Sequence, residues 1–234
     1  MSRFGLGFLG SFGGNDSFVK SLLHFDGTNG STSFPDTAAG IGTNLVWSNT
    51  GSGSQLSTAT SKFGTASLLN AGGLQHIETP NNSNFNSLGT TPFVFDCWVN
   101  PTNFGSLMFA AGIGLRGATF SWFLSRDIAN NFRFTVPGIS VATSGTVTSA
   151  GWHHIACVAD GSNIYIALDG VVSGPSAYSS LPNTGDVFAI GTVQFTSGVV
   201  SSPWIGNIDE ARFSLGTTRG WTSNFTPSTM PYSL

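Results

Sequence analysis

The chain has 234 residues and a formal net charge of −3, with only 8% of its residues charged and 40% hydrophobic. Its eight Lys and Arg are scattered from Arg3 to Arg219, with no basic run able to neutralise a phosphate backbone, so nucleic acid is not an expected partner. No apolar stretch reaches the roughly 18 residues of a membrane-spanning helix, so no membrane insertion is expected either. A single core at this length should bury roughly 70–75% of the surface that the unfolded chain exposes, which requires no cofactor, disulfide or metal.

Residues 1–17 are rich in Gly and Phe and show no strand-like alternation, so they read as an N-terminal arm ahead of one domain over 18–234. Gly breaks the short apolar run and no small-residue cleavage site follows, so the arm does not read as a secretory signal. Gly5, Gly7 and Gly10 satisfy the G-x-G-x-x-G pattern, but a dinucleotide site also needs a strand before it and a helix after it. Phe4, Phe8 and Phe12 recur every fourth residue, while each Gly costs about 1 kcal/mol in a helix relative to Ala. An extended docking arm that inserts the three rings into a partner is expected; the alternative is an arm folded back on its own domain.

The next segments are short β-branched and aromatic runs between Gly, Asn, Ser and Pro clusters, the pattern of an all-β domain. His76 and Glu78 share a strand face, which reads more readily as an exposed polar face than as a metal site. In FVFDCWVNP (93–101), Phe95, Cys97 and Val99 fall on one face and Asp96 and Trp98 on the other. Both faces carry bulk, so this strand should be internal. The runs HHIACVA and NIYIAL predict a hairpin around Asp160-Gly161-Ser162-Asn163, and Asp169-Gly170 ends the return strand. His153 and His154 are adjacent, point to opposite faces and cannot share one metal. No stretch of a dozen residues holds a helical period, so helix should stay below about a tenth of the chain.

Six tryptophans matter because sugar rings and protein partners both pack on indole faces. Trp98 and Trp152 lie within strand patterns and should be core. Trp47, Trp204 and Trp221 lie in Gly-, Ser- and Pro-rich surroundings and are the candidates for glycan or partner binding, with packing under a loop as the alternative. The only glutamates are Glu78 and Glu210, and neither belongs to a Glu-x-Asp-x-x-Glu strand. A retaining glycosidase needs two carboxylates about 5–5.5 Å apart, so no catalytic residue is assigned.

Five blocks in order carry a family resemblance: residues 21–40 with Phe-Asp-Gly, 61–86 with Lys-Phe-Gly, the strand 93–101, the Trp-x-His hairpin 151–172, and 205–232 with Ile-Asp-Glu-x-Arg and Asn-Phe-Thr-Pro. Together they resemble the laminin-G-like, concanavalin-A-like jelly-roll domains of bacteriophage and bacterial surface proteins. The resemblance implies an all-β, two-sheet antiparallel jelly-roll sandwich. It implies a structural Ca²⁺ with Asp209 as ligand, helped by Asp26 and Asp36; the alternative is that Asp209 and Glu210 pair with Arg212 or cap a loop. Cys97 and Cys157 lie one residue beyond the positions where pentraxins, distant relatives, carry a disulfide, which implies cross-strand neighbours, expected as free thiols. The expected function is that of a non-enzymatic bacteriophage virion protein: a tail-fibre, spike or head-decoration subunit. On the particle surface it would bind host glycan or neighbouring virion subunits, as a homo-oligomer. The alternatives are an extracellular or cell-surface adhesin or carbohydrate-binding module of bacteria and, third, a glycoside hydrolase.

Overall fold

Strict alternation in Asn131–Val136 sends Phe132, Phe134 and Val136 inward and leaves Asn131, Arg133 and Thr135 half-buried on the other side. In Phe93–Pro101, by contrast, both faces are buried. Strands of both types build the molecule, some covered on both faces and others on one. The computed structural model describes residues 16–38, 45–51, 53–73, 75–86, 88–114, 120–196 and 199–234. Phe4, Phe8, Phe12 and the glycine pattern of the expected arm lie outside the described residues. Its last two residues are described, and Asp16 forms an ion pair of 2.7 Å with Arg219.

The strands are β1 (Val19–Leu23), β2 (Ser48–Thr50), β3 (Gln55–Ser57), β4 (Ser67–Ala71), β5 (His76–Thr79), β6 (Phe93–Pro101), β7 (Met108–Ile113), β8 (Trp122–Arg126), β9 (Asn131–Val136), β10 (Ser140–Thr146), β11 (His153–Ala159), β12 (Asn163–Leu168), β13 (Val171–Ala177), β14 (Phe188–Ile190), β15 (Val193–Thr196), β16 (Val199–Ser201) and β17 (Ile205–Leu215). Among the described residues the α-helix is one turn, α1 (Ser83–Asn86). An eight-stranded sheet runs β13-β12-β11-β6-β17-β4-β3, with β1 also on β17; a seven-stranded sheet runs β10-β9-β8-β7-β14-β5-β2. β15 and β16 form a small ribbon. The pairings between named strands are antiparallel, as expected for a jelly-roll sandwich.

The β11–β12 hairpin forms where predicted. The Asp160 carboxylate accepts the Ser162 and Asn163 amides at 2.8 and 2.7 Å, which fixes the turn. Asp169 and Gly170, at φ of 50° and 82°, make the two-residue turn that joins β12 to β13, because two positive φ values match the twist of a hairpin.

Between the sheets lies an aromatic core in which Phe93 stacks on Phe213 at 5.4 Å and Phe188 meets Phe85, Phe95 and Trp122 at 5.5–5.8 Å. Each fully buried phenylalanine contributes about 1.5–3 kcal/mol. Ile208, Ala211 and Phe213 of β17 all enter this core, although period two cannot place 208 and 211 together. A bulge between Asp209 and Arg212, with Glu210 at φ 49°, restores the phase and turns Asp209 and Arg212 to the outer face.

That outer face is closed by the chain's own ends. Trp98 packs with Val19, Leu22 and Tyr232, and Tyr165 packs with Trp221 and Phe225. The sandwich sides are tied as well: Ser176 Oγ donates to the Val141 carbonyl at 3.0 Å, Asn49 Nδ2 to the Ser54 carbonyl at 2.8 Å, and the Val172 amide to Asn224 Oδ1 at 2.9 Å. Cys97 pairs with Ile155 and Cys157 with Phe95, so the cysteines occupy neighbouring strands two residues out of register. Such diagonal neighbours stand roughly 7–8 Å apart, beyond the reach of a bridge without backbone movement. Both are free and buried, and burial pushes both thiols well above their ordinary pKa.

Candidate functional site

Among the described residues, the outer face of the seven-stranded sheet leaves side chains partly exposed towards β9 and β10. Two cross-strand rows define it. Val141, Thr135, Phe123 and Gly112 stand in one register line across β10, β9, β8 and β7, and Thr143, Arg133, Ser125 and Phe109 in the next. Their sequence neighbours Phe134, Leu124 and Ala111 face the core, which sets the outward direction of these rows. Leu107, Phe109, Phe123, Ser125, Arg133, Thr135 and Val141 line a groove of about 260 Å³. Its aromatic floor is held edge to face, with Phe123 5.2 Å from Phe109 and 5.8 Å from Phe120. Leu107 and Val141 remain exposed at its rim. An apolar floor with a few polar groups is the usual composition of a small-ligand site.

The same face continues from Gly112 through Ala189 to Glu78. His76 and Glu78, expected on an exposed polar face, are instead both buried, with His76 Nε2 3.3 Å from Glu78 Oε2. A buried carboxylate and imidazole satisfy each other's polarity, which a pair open to water would not need.

The tryptophan candidates separate. Trp204 is fully buried, with its ring 6.1 Å from that of Phe132, and does not stand on the surface. Trp47 lies beside an open groove lined by Thr32, Phe34, Pro35 and Val46, but its ring is 5% exposed, packs 5.4 Å from Phe188 and donates Nε1 to Asp36 at 3.1 Å. Apolar ring area outweighs the loop-like surroundings at both positions, and packing is their role. Trp221 is half-buried, stacked parallel on Phe225 at 4.3 Å and edge-on to His154 at 5.7 Å. Trp98 is core as expected, and Trp152 packs against its cluster.

Asp26, Asp36 and Asp209 are not assembled into one cluster, and among the described residues no group of three or more His, Cys, Asp or Glu could hold a metal ion. Each carboxylate already has protein donors. Asp209 accepts the Lys62, Phe63 and Glu210 amides at 2.7, 3.1 and 2.9 Å. Asp36 accepts Leu22 N, Ala38 N, Ser21 Oγ and Trp47 Nε1. Asp26 accepts the amide and hydroxyl of Thr65. Burial outweighs the three amides at Asp209 and pushes its pKa up to about 7. The loop-capping alternative thus describes Asp209, whereas Glu210 pairs with His24 at 2.8 Å and Arg212 with Asp96, through Nε and Nη2 at 3.0 and 2.9 Å.

The groove residues Phe109, Phe123 and Arg133 lie on strands, outside the Gly-, Ser- and Pro-rich loops where the sequence places its binding candidates. The signal was present in NFRFTV, whose alternation sets Arg133 opposite two core phenylalanines and so on the outer face. What alternation alone lacks is knowledge of which sheet face the chain ends will cover.

The laminin-G-like family model described as the concanavalin A-like lectin/glucanases superfamily matches residues 71–217. Domain 4 of AbnA, an extracellular arabinanase of Geobacillus stearothermophilus, in complex with arabinotriose, is similar in structure: TM-score 0.60, 18% identity, covering 87% of this chain and 96% of that one. The Trypanosoma rangeli sialidase in complex with sialic acid has TM-score 0.58 and 13% identity, covering 91% of this chain but only 32% of the sialidase. The botulinum neurotoxin serotype G binding domain has TM-score 0.56 and 12% identity, covering 83% of this chain and 47% of that one. At these identities the likeness is one of fold. No curated protein sequence matches the chain. Across 71–217 the match takes in both β11–β12 and the bulged closing strand β17, and the chain belongs to the laminin-G-like family of the concanavalin A-like lectin/glucanases superfamily.

Proposed function

We propose that this protein is a non-enzymatic glycan-binding module that serves as a virion subunit of the tail-fibre, spike or decoration kind and presents the outer face of its seven-stranded sheet to host surface sugar. The observation that carries the reading is the groove with the half-buried ring of Phe123 at its floor, because the C–H face of a sugar packs on an aromatic ring while its hydroxyls meet Thr135. Family membership and the arabinotriose complex of the arabinanase domain support glycan as the ligand class. The virion setting rests on the resemblance of the five sequence blocks to jelly-roll domains of bacteriophage and bacterial surface proteins, and on a chain of which only 8% is charged.

Glu78 is the only carboxylate on the strands of the groove face, and it is occupied with His76, whereas retaining hydrolysis uses two. That favours binding over cleavage. A glycan array probed with the whole protein tests the reading: binding to defined sugars, lost in Phe123→Ala while the far-ultraviolet spectrum is kept, supports it. Absence of binding to every glycan, or binding indifferent to Phe123, overturns it. Mass spectrometry of purified particles tests the setting, which fails if the protein is not a stoichiometric component.

A further inference from the structure

We infer that Arg133 anchors an acidic sugar residue in the groove, through the carboxylate that the sugar carries. The inference rests on the glycan-binding reading above and names its ligand class. Four arginines lie among the described residues, and three of them are engaged. Arg212 is bidentate to Asp96, Arg219 pairs with Asp16, and Arg126 donates to the Asn103 carbonyl and lies against the rings of Phe104 and Trp204. Arg133 differs. Among the described residues it makes no side-chain hydrogen bond or ion pair at all, and its Nε, like Nε and Nη1 of Arg126, is buried without an acceptor. All eleven Asp and Glu of the chain lie within the described residues, so no acid elsewhere in this chain remains to neutralise it.

The position is not incidental to the groove. Arg133 stands in register with Ser125 on one side and Thr143 on the other, one row from Phe123, with apolar Phe109, Leu107 and Val141 around it. A cation against apolar walls is poorly solvated, and a buried N–H without an acceptor costs free energy that a ligand oxygen can recover. A carboxylate matches the planar guanidinium with two parallel hydrogen bonds, and the low local dielectric strengthens the attraction. The groove volume of about 260 Å³ falls just below the range of ~300–1,000 Å³ for drug-sized ligands, which suits one terminal sugar residue rather than a long chain.

The test compares matched pairs on the whole protein: an oligogalacturonide against its carboxyl-reduced counterpart, sialyllactose against lactose, and sulfated galactose as the competing anion. The expected result is that at least one carboxylated probe binds more tightly than its neutral partner, and that Arg133→Gln weakens it by on the order of tenfold to a hundredfold. The variant should leave the melting temperature unchanged, since among the described residues Arg133 holds no hydrogen-bond or ion-pair partner. Arg133→Lys should recover only part of the affinity. Equal affinity for acidic and neutral partners, loss-free binding in Arg133→Gln, or binding of the sulfated probe alone each overturns the inference while the glycan-binding reading stands. If no sugar of any kind binds, that broader reading fails first.

Discussion

Asp96→Asn should destabilise the protein more than any other single isosteric change on the outer face of the eight-stranded sheet. Asp96 is fully buried and accepts Nε and Nη2 of Arg212 at 3.0 and 2.9 Å, while His154 Nε2 stands 3.3 Å away. Arg212 and His154 together hold the Asp96 carboxyl well below the ordinary carboxylate range although burial opposes this. Replacing the carboxylate by an amide keeps the shape but leaves the Arg212 cation, 7% exposed, without a counter-charge. Breaking one side of a buried pair costs about 3–5 kcal/mol. In a domain of this size that lowers the melting temperature by about 6–20 °C. Urea unfolding at pH 7, followed by tryptophan fluorescence and circular dichroism together, reads the difference. The charge argument also predicts that Asp96→Leu combined with Arg212→Met recovers much of the loss, because two apolar side chains need no partner. The recovery is partial, since Arg212 also lies 3.8 Å over the Tyr232 ring. Asp96→Asn within about 1 kcal/mol of the parent, or a double variant no better than the single one, would refute the reasoning.

Stability should fall as pH rises from about 5 to about 8. Asp209, pushed up to about 7 by burial, holds a proton in the folded state that the unfolded chain releases near pH 4, so its contribution is lost on the way up. His24, raised by its hydrogen bond to Glu210, contributes below about pH 6.5 and loses that contribution as pH passes its folded value. Asp96, Asp160 and Asp169 are lowered and give the opposite slope only below about pH 4. Melting scans of the parent and Asp209→Asn decide the matter: the variant should flatten the slope, and a parent curve that is level or rises with pH defeats the account. Gly170→Ala should lower the melting temperature well beyond Gly73→Ala, since both glycines have positive φ but only at 170 would a Cβ strike the Phe225 carbonyl. Equal losses would remove the packing argument. Cys97 and Cys157 should resist a thiol reagent in the native state and react at both positions in denaturant; rapid native labelling would contradict their burial.

Alternation and turn chemistry carried much of the architecture. The internal position of β6, the β11–β12 hairpin and the scarcity of helix all follow from period two and from Asp-Gly turns, which are local properties of the chain. The site was less legible because it depends on what covers what. The same alternation places Asp96 and Arg133 on outer faces, yet one is buried with Arg212 and His154 and the other lines a groove. Composition misled at Trp47 and Trp204, where Gly and Ser neighbours mark loops but the indoles turn inward. The β17 bulge could not be read either: Ile208 and Ala211 look out of phase in sequence, and only Glu210 at positive φ reconciles them.

The ties along the sides of the sandwich bear on how copies of this protein can pack at high local concentration. A β-sandwich exposes backbone donors and acceptors at its outermost strands, and a second chain can add to them as a further strand. Here the Val141 carbonyl of β10 is taken by Ser176, the Val172 amide of β13 by Asn224, and Pro175 within β13 offers no amide hydrogen. On the opposite side, Asn49 of β2 is bonded to the Ser54 carbonyl just ahead of β3. Growth of one continuous sheet through neighbouring copies is therefore obstructed at the β10 and β13 edges, and copies crowded there would meet through side-chain surfaces and keep their separate folds.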